Sequence, residues 1–530
     1  MKKTIALTMA TAMAATMLAA CGGTATTSSS TASSDAASAS STGDSASARP
    51  TITFMMPTFY GTEFANDGAD TVIKTYEDYT NTTVTWQLEN NDTYKDKLGL
   101  TLMDKDNMPM VITASGALDA NIVDAAKKGA FWDLTPYLAD SASYPNLSQA
   151  NPEVLNSLTV ENQVIGIPRS RAIGRYGFAY RTDWAKAVGI TEAPKTVEDV
   201  YNMLYAFTYN DPDGNGQDDT YGLELCKYTG PLDIIQTWFG TGNAWVEQDG
   251  QLVPVHQTAE YREALKWMRK IYEDGLIRPD WATVDTSTWS DGCKKGEAGC
   301  FLDTMDGAKR VWNYYTENDV KDVTDPSTTA TMTMVGPIAM DASSEPRTLA
   351  TSGYNGFYLI TKAGAKTEED VKNCLNFLDK MNDDAMLELA DFGLEGVSYD
   401  LDADGKVVLN TELDTTQVPQ CGLNQCIAYV PNLASTGLQL AKKESQLEQE
   451  ACQLVNEKVA VFNPALGYLA NSSVNAEVGT DIAQILDDAR TQYICGQIDD
   501  AGLDTALQQW SDRGGADLIA ELNQAYGAGK

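Results

Sequence analysis

Between residues 51 and 138 short apolar runs alternate with amphipathic ones, and this order restricts the folds open to the chain more than any other feature. TITFMMP reads as a strand, and TVIKTYEDYTN follows as a helix with Val72, Ile73, Tyr76 and Tyr79 at helical spacing. TTVTWQL alternates as a strand does, YKDKLGLTLMDKDNMP reads as a helix, and MVITAS as a short apolar strand. NIVDAAKKGAFWDLTPYL then reads as a helix ended by Gly129. Strands alternating with helices predict parallel βαβ units. QVIGIPRS and RYGFAYRTDWAKAVGI add two short strands and a helix. TVEDVYNMLYAFTYN is a helix with Thr196 as its N-cap. TAEYREALKWMRKIYEDGLI is amphipathic, with Tyr261, Ala264, Leu265, Met268, Ile271 and Tyr272 on one face, Thr258 as cap and Gly275 as stop. GYNGFYLITK returns to a strand, and the chain beyond about residue 367 is mostly helical. At 530 residues it is long enough for two lobes rather than one core.

The N-terminus sets the compartment. Lys2 and Lys3 precede an uncharged run over residues 4–20, the layout of a secretory signal, and that run is shorter than the ~20 apolar residues a spanning helix needs. The run ends in Leu18-Ala19-Ala20-Cys21-Gly22, which resembles the bacterial lipobox, in which the cysteine takes a lipid on sulfur and becomes the new N-terminus. Residues 22–48 hold no aromatic residue and no Val, Ile or Leu, so they cannot bury enough apolar surface to offset ordering entropy and read as a tether. Signal (1–20), lipidated tether (21–50) and globular body together predict a protein held at the membrane by lipid alone, on its extracytoplasmic side. The formal net charge of −36, from 74 acidic and 38 basic residues, excludes nucleic acid as a partner, because that requires a basic footprint.

Asp211, Asp213 and Asn215 alternate in NDPDGNGQDDTYG (210–222), followed by Gly216, Gln217 and Asp219. This matches the first nine positions of an EF-hand-like calcium loop, where alternate oxygens curl round one cation and the glycine supplies the sharp turn. Position twelve is Gly222 in place of the bidentate Glu, so the loop departs from a full EF-hand. Without a cation, the same residues would form an Asx-rich turn.

No catalytic set stands out. His256 is the only histidine, which argues against Ser-His and Cys-His chemistry, and there is no phosphate loop or dinucleotide fingerprint. Of nine cysteines none falls in a CxxC pair. Cys21 belongs to the lipobox, and the rest could be disulfides, with Cys421/Cys426 or Cys293/Cys300 as local pairs, or buried thiols. Ten Trp, 24 Tyr and 12 Phe offer flat faces for sugar rings. The candidate ligand-binding residues are Tyr60, Glu63, Trp238, Trp245, Trp289 and Tyr354, set against core packing for any single aromatic. Arg169, Arg171 and Arg175 could clamp an anionic substituent or pair with the surplus acids.

The lipobox and tether, YRTDWAKAVGI (180–190), the helix TVEDVYNMLYAF leading into NDPDGNGQDDTYGL, GLEGVSYDLDADGK (393–406) and the closing GGADLIAELNQAY together resemble the family 1 extracellular solute-binding lipoproteins of bacterial ABC importers, in particular the long oligosaccharide-binding type. The resemblance implies an α/β, two-lobed, type II periplasmic-binding-protein-like fold, with a parallel-rich sheet and helices in each lobe. It implies an N-terminal lobe over 51–168, a C-terminal lobe with the loop over 169–350, and a chain over 351–530 that returns to the first lobe and is then shared between the two. It further implies a monomer, not an enzyme, that captures an oligosaccharide in an inter-lobe cleft and delivers it to permease subunits, with structural calcium held by Asp211, Asp213, Asn215, Gln217 and Asp219. A surface carbohydrate-active enzyme using a carboxylate pair, and a surface adhesin or peptide-binding protein, are the two other readings the residues leave open.

Overall fold

The computed structural model describes residues 49–104, 106–429, 438, 440 and 442–528. The chain divides into two units, Met1–Ala48 and Arg49–Lys530. The expected signal, lipidated Cys21 and most of the tether fall in the first, outside the described residues.

Two mixed sheets carry the fold. In the first, strand Thr51–Thr58 pairs in parallel with Thr83–Asn90 and Val111–Ala114, as the βαβ order predicts. Strand Tyr354–Ile360 then pairs antiparallel with Val111–Ala114 on one side and with Gly166–Ser170 on the other. The second sheet runs Met332–Val335, Tyr176–Arg181, Ala298–Thr304, Tyr221–Glu224, with only the last pair parallel. The α/β two-lobed class is as expected, while the sheets are less parallel than the strand–helix order implies. The antiparallel members are Tyr354–Ile360, by which the chain re-enters the first sheet, and Tyr176–Arg181, by which it enters the second.

Period-two alternation puts the side chains of the central strands on two buried faces. Ile52, Phe54 and Met56 join Tyr358 and Ile360 under helices Ala69–Thr80 and Glu368–Lys380, whereas Met55, Ile112, Phe357 and Leu359 face the opposite way onto Asn91–Thr101 and Ala120–Lys127. The second sheet does the same. Phe178, Tyr180 and Leu302 pack under Val197–Tyr209, Gly230–Trp238 and Ala259–Glu273, and Ala179 and Phe301 pack under Met305–Glu317. Helices Ser473–Ile494, Asp500–Trp510 and Ala516–Ala528 enclose a further core with Trp245. No described helix is long and apolar enough to cross a membrane.

The eight cysteines from Cys226 to Cys495 are free thiols. Cys293 and Cys300 approach each other, but the Cys293 thiol donates to the Cys300 carbonyl at 3.5 Å.

Glu224 closes its strand at 2% exposure, with Oε1 lacking a hydrogen-bond partner. Burial pushes its carboxyl up to about 7, outweighing Arg278 at 3.8 Å. The folded chain thus binds this proton more tightly than the unfolded one. The associated stability is fully present below about pH 4.5 and is lost as pH rises through about 7. Glu224→Gln is therefore expected to be near neutral at pH 4.5 and stabilising by roughly 2–3 kcal/mol at pH 8, as read by denaturant melts at the two pH values.

Candidate functional site

Strand register brings one edge of each sheet together. Thr51–Thr58 and Val111–Ala114 run parallel, so their C-terminal ends share an edge, and the antiparallel strand Tyr354–Ile360 starts there with Tyr354 opposite Ser170. In the second sheet Thr304, the C-terminal end of its strand, lies opposite Tyr176. The chain passes from Ser170 to Tyr176 through residues 171–175 and so joins the C-terminal edges of the two sheets. These are the edges at which α/β folds bind ligands.

Three segments cross at this point. Arg171 N–H donates to Gly353 O at 2.8 Å, and Thr351 N–H to Ile173 O at 3.0 Å. The third segment, Ala460–Val461, pairs in parallel with Thr348–Leu349. Two amides clamp the crossing. Asn456 Nδ2 donates to Gly174 O at 2.9 Å and Tyr176 O at 2.7 Å. Asn243 Nδ2 donates to Ala350 O at 3.1 Å and Val461 O at 3.0 Å. Gly174 is required here, because a Cβ would sit 2.4 Å from Glu457 N.

A cavity of about 370 Å³ opens beside the crossing, with Arg171, Arg175, Tyr176, Asn243, Tyr354 and Asn355 in its wall. Arg175 Nε donates to Asp306 Oδ2 at 2.8 Å. Burial works to raise the Asp306 carboxyl, and the Arg175 contact overcomes it and holds the group low. Asp303, near the end of strand Ala298–Thr304, has a buried Oδ1 without a partner, and burial pushes its carboxyl up to about 6. Phe59 and Tyr60, directly after the first strand, are exposed, as is Tyr228 beyond strand Tyr221–Glu224.

The six residues singled out from the sequence do not form one surface. Tyr60 is 52% exposed at the edge of the first sheet. Glu63 is buried and accepts the backbone N–H groups of Phe59 and Tyr60 at 2.5 and 2.9 Å. It shapes the turn that presents those two rings. Tyr354 reaches the cavity wall but packs edge-on against Phe357. Trp289 lies flat on Phe301, with centroids 5.1 Å apart, and edge-on to Tyr228 at 5.7 Å, so it backs Tyr228. Trp238 sits at 2% exposure against Phe178 and Trp267, within the core of the second sheet. Trp245 is buried under the C-terminal helices. Asp303, Asp306, Asn355 and Tyr228 were missed. The available signal was their place at strand ends, and strand Ala298–Thr304 was not read from the sequence.

The acidic loop follows helix Val197–Tyr209, whose N-terminus carries a Thr196/Asp199 capping box. Asp211, Gly214 and Gly216 take left-handed backbone angles, which curl the segment. Asn215 Nδ2 donates to Asp213 Oδ2 at 2.8 Å and Asp219 Oδ1 at 3.2 Å, and Asp211 Oδ2 accepts Gly216 N–H at 3.1 Å. The Asn215 side-chain oxygen accepts Gln217 N–H at 2.7 Å. Burial, and then the Asp211 and Asp219 carboxylates, push the Asp213 carboxyl up. The oxygens thus surround an amide rather than a point, and among the described residues no three acidic, His or Cys side chains gather closely enough to hold a metal.

A model of the bacterial extracellular solute-binding protein family matches residues 71–391. Lipoprotein LipO of Bacillus subtilis (strain 168) is 36% identical over 509 residues, covering 92% of this chain and 95% of the relative. The polygalacturonan/rhamnogalacturonan-binding protein YtcQ of the same organism is 27% identical over 463 residues, covering 86% and 88%. Among solved structures, an HMO-binding, ABC-transporter-associated solute-binding protein of Bifidobacterium longum infantis superposes with a TM-score of 0.65 at 16% identity, covering 90% of this chain and 98% of that one.

Proposed function

We propose a function from one premise: the chain belongs to the family of bacterial extracellular solute-binding proteins. It captures an oligosaccharide between the facing edges of its two sheets and delivers it, chemically unchanged, to the permease of an ABC importer. The observation that carries this reading is the meeting of the two C-terminal sheet edges at residues 171–175 beside an open cavity. Phe59, Tyr60 and Tyr228 offer exposed rings for sugar faces, while Asn355, Asp303 and Arg171 offer hydrogen bonds. The polysaccharide named for YtcQ supports a carbohydrate. A solute touching both edges favours the closed arrangement through contacts that the open one lacks. The lobes are 51–168 and 169–350, with 351–530 shared, and a lipid on Cys21 holds the chain to the outer side of the membrane as a monomer.

The test is isothermal titration with an oligosaccharide panel, using Tyr60→Ala and Tyr228→Ala. An aromatic stacking contact contributes roughly 0.5–1.5 kcal/mol beyond area burial, so each variant is expected to weaken binding roughly 3- to 10-fold. Unchanged affinity in both would place the solute elsewhere.

Asp211, Asp213, Asn215, Gln217 and Asp219 hold structural calcium in this reading. Asn215 Nδ2 stands among their oxygens where the cation would sit, so binding would turn that amide's oxygen inward, and the ion's charge would relieve the repulsion on Asp213. At free calcium about 100-fold above Kd the bound ion stabilises the fold by about 2.7 kcal/mol. Chelation is expected to lower the melting temperature of the native chain and to leave Asp213→Asn unmoved. An equal response in both chains would remove the ion from this loop.

A further inference from the structure

Three arginines flank the crossing, and only one of them faces an acid. Arg175 pairs with Asp306 at 2.8 Å. Elsewhere the buried or half-buried Arg181, Arg278 and Arg490 also meet carboxylates. Arg171 lines the cavity, and among the described residues its side chain makes one hydrogen bond, from Nη1 to the neighbouring Ser170 carbonyl at 2.8 Å. Arg169 is 6% exposed, donates from Nη2 to the neutral Gln425 Oε1 at 2.9 Å and to Asn424 O at 3.5 Å, and has an Nε with no partner. Neither makes an ion pair among the described residues, and residues 430–437, outside that set, contain no acid.

The environment of Arg171 works against its charge. Burial disfavours the guanidinium and Arg169 adds repulsion; the next largest influences are Tyr358, Tyr429 and Arg175, none of them a carboxylate. Asp306 is already committed to Arg175. In a chain with 74 acidic and 38 basic residues, carboxylate partners are plentiful. Two adjacent, largely desolvated guanidiniums without counter-charge are unfavourable on their own and become favourable when an anion arrives.

We propose that the solute bound at this cleft is an acidic oligosaccharide, whose carboxylate or sulfate substituent is received by Arg171 with Arg169 behind it. The inference rests on the carbohydrate-binding reading above and names the substrate class within it. The planar fork of Arg171 can take two oxygens of either anion side by side, which a neutral hydroxyl cannot match.

The experiment titrates the full chain, held in detergent, with oligogalacturonates, alginate oligosaccharides, a sulfated carrageenan tetrasaccharide and neutral galacto-oligosaccharides of similar length. Each uronate is paired with its methyl ester, which keeps the skeleton and removes the charge. An acidic member is expected to bind at least 10-fold more tightly than its ester or neutral counterpart, and raised salt is expected to weaken it. Whichever acidic class binds, uronate or sulfate, identifies the anion. Arg171→Gln is expected to cost roughly 10- to 100-fold for the acidic ligand and little for the neutral one, with Arg171→Lys between. The ester comparison uses the native chain, so it decides the matter even if a variant fails to fold. Equal affinity for acid and ester, or binding of neutral glycans alone, would overturn the anionic substituent and leave carbohydrate capture standing. Binding of no glycan would overturn both.

Discussion

Replacing Asp183 by alanine is expected to lower the unfolding free energy by about 3–5 kcal/mol, the usual cost of leaving one charge of a buried pair alone. Asp183 is 0% and Arg181 3% exposed. The carboxylate accepts Arg181 Nε at 2.8 Å and Nη2 at 2.6 Å, and its second oxygen also takes Val323 N–H at 3.0 Å. The guanidinium lies between the rings of Trp184 and Tyr315, 5.1 and 5.0 Å from their centroids. At 3% exposure the guanidinium has almost no contact with water to set against the lost carboxylate. Guanidinium chloride melts of Asp183→Ala and of a double Arg181→Met, Asp183→Leu variant separate the charge from the packing. The double variant is expected to recover most of the loss, because two apolar side chains need no partner. A cost below about 1 kcal/mol for Asp183→Ala would show that the charge finds solvent.

Asn456→Ala is expected to cost about 2–3 kcal/mol and to loosen the crossing between the sheets. Its amide, fully buried, is the donor to the Gly174 and Tyr176 carbonyls. Removing it strands the Gly174 carbonyl, at about 1–3 kcal/mol, while Tyr176 O keeps the Thr348 hydroxyl at 3.1 Å, and the lost side-chain packing adds to the cost. The same carbonyls belong to the segment that carries Arg171 and Arg175 into the cavity. Amide exchange at Arg171 and Thr351, whose N–H groups tie the crossing segments together, should therefore accelerate more than exchange in the sheet interiors. Uniform acceleration across both sheets would reduce the residue to a general stabiliser.

Local signals were legible where local chemistry decides. The helix over 259–273 has Thr258 accepting Tyr261 N–H at its start, Gly275 in a left-handed turn after its end, and Tyr261, Ala264, Leu265, Met268 and Ile271 buried. Thr196 forms its capping box with Asp199. Strand Thr51–Thr58 and the curl of the acidic loop were also readable, since each depends on spacing within a dozen residues. The aromatic site was not. Trp238 shares a helix with Ile234 and Ile235, and the three are buried together, so a helical face would have marked it as core had that helix been recognised. Trp289 and Tyr228 differ in exposure because Phe301, from a distant strand, covers one and not the other. Likewise nothing near Arg171 or Arg175 in the sequence tells which of them meets Asp306. Ion pairing and strand register across large separations are set by the folded arrangement.

The position of Tyr354–Ile360 bears on how the chain can leave the cell. That strand lies between Val111–Ala114 and Gly166–Ser170, yet it emerges from the ribosome only after all four strands of the other sheet. Until it arrives, both neighbours remain open edges with unpaired backbone groups. Pairing across so long a stretch is slow. The first sheet is therefore completed late in synthesis, an order that favours keeping an exported chain unfolded until its last strand is available.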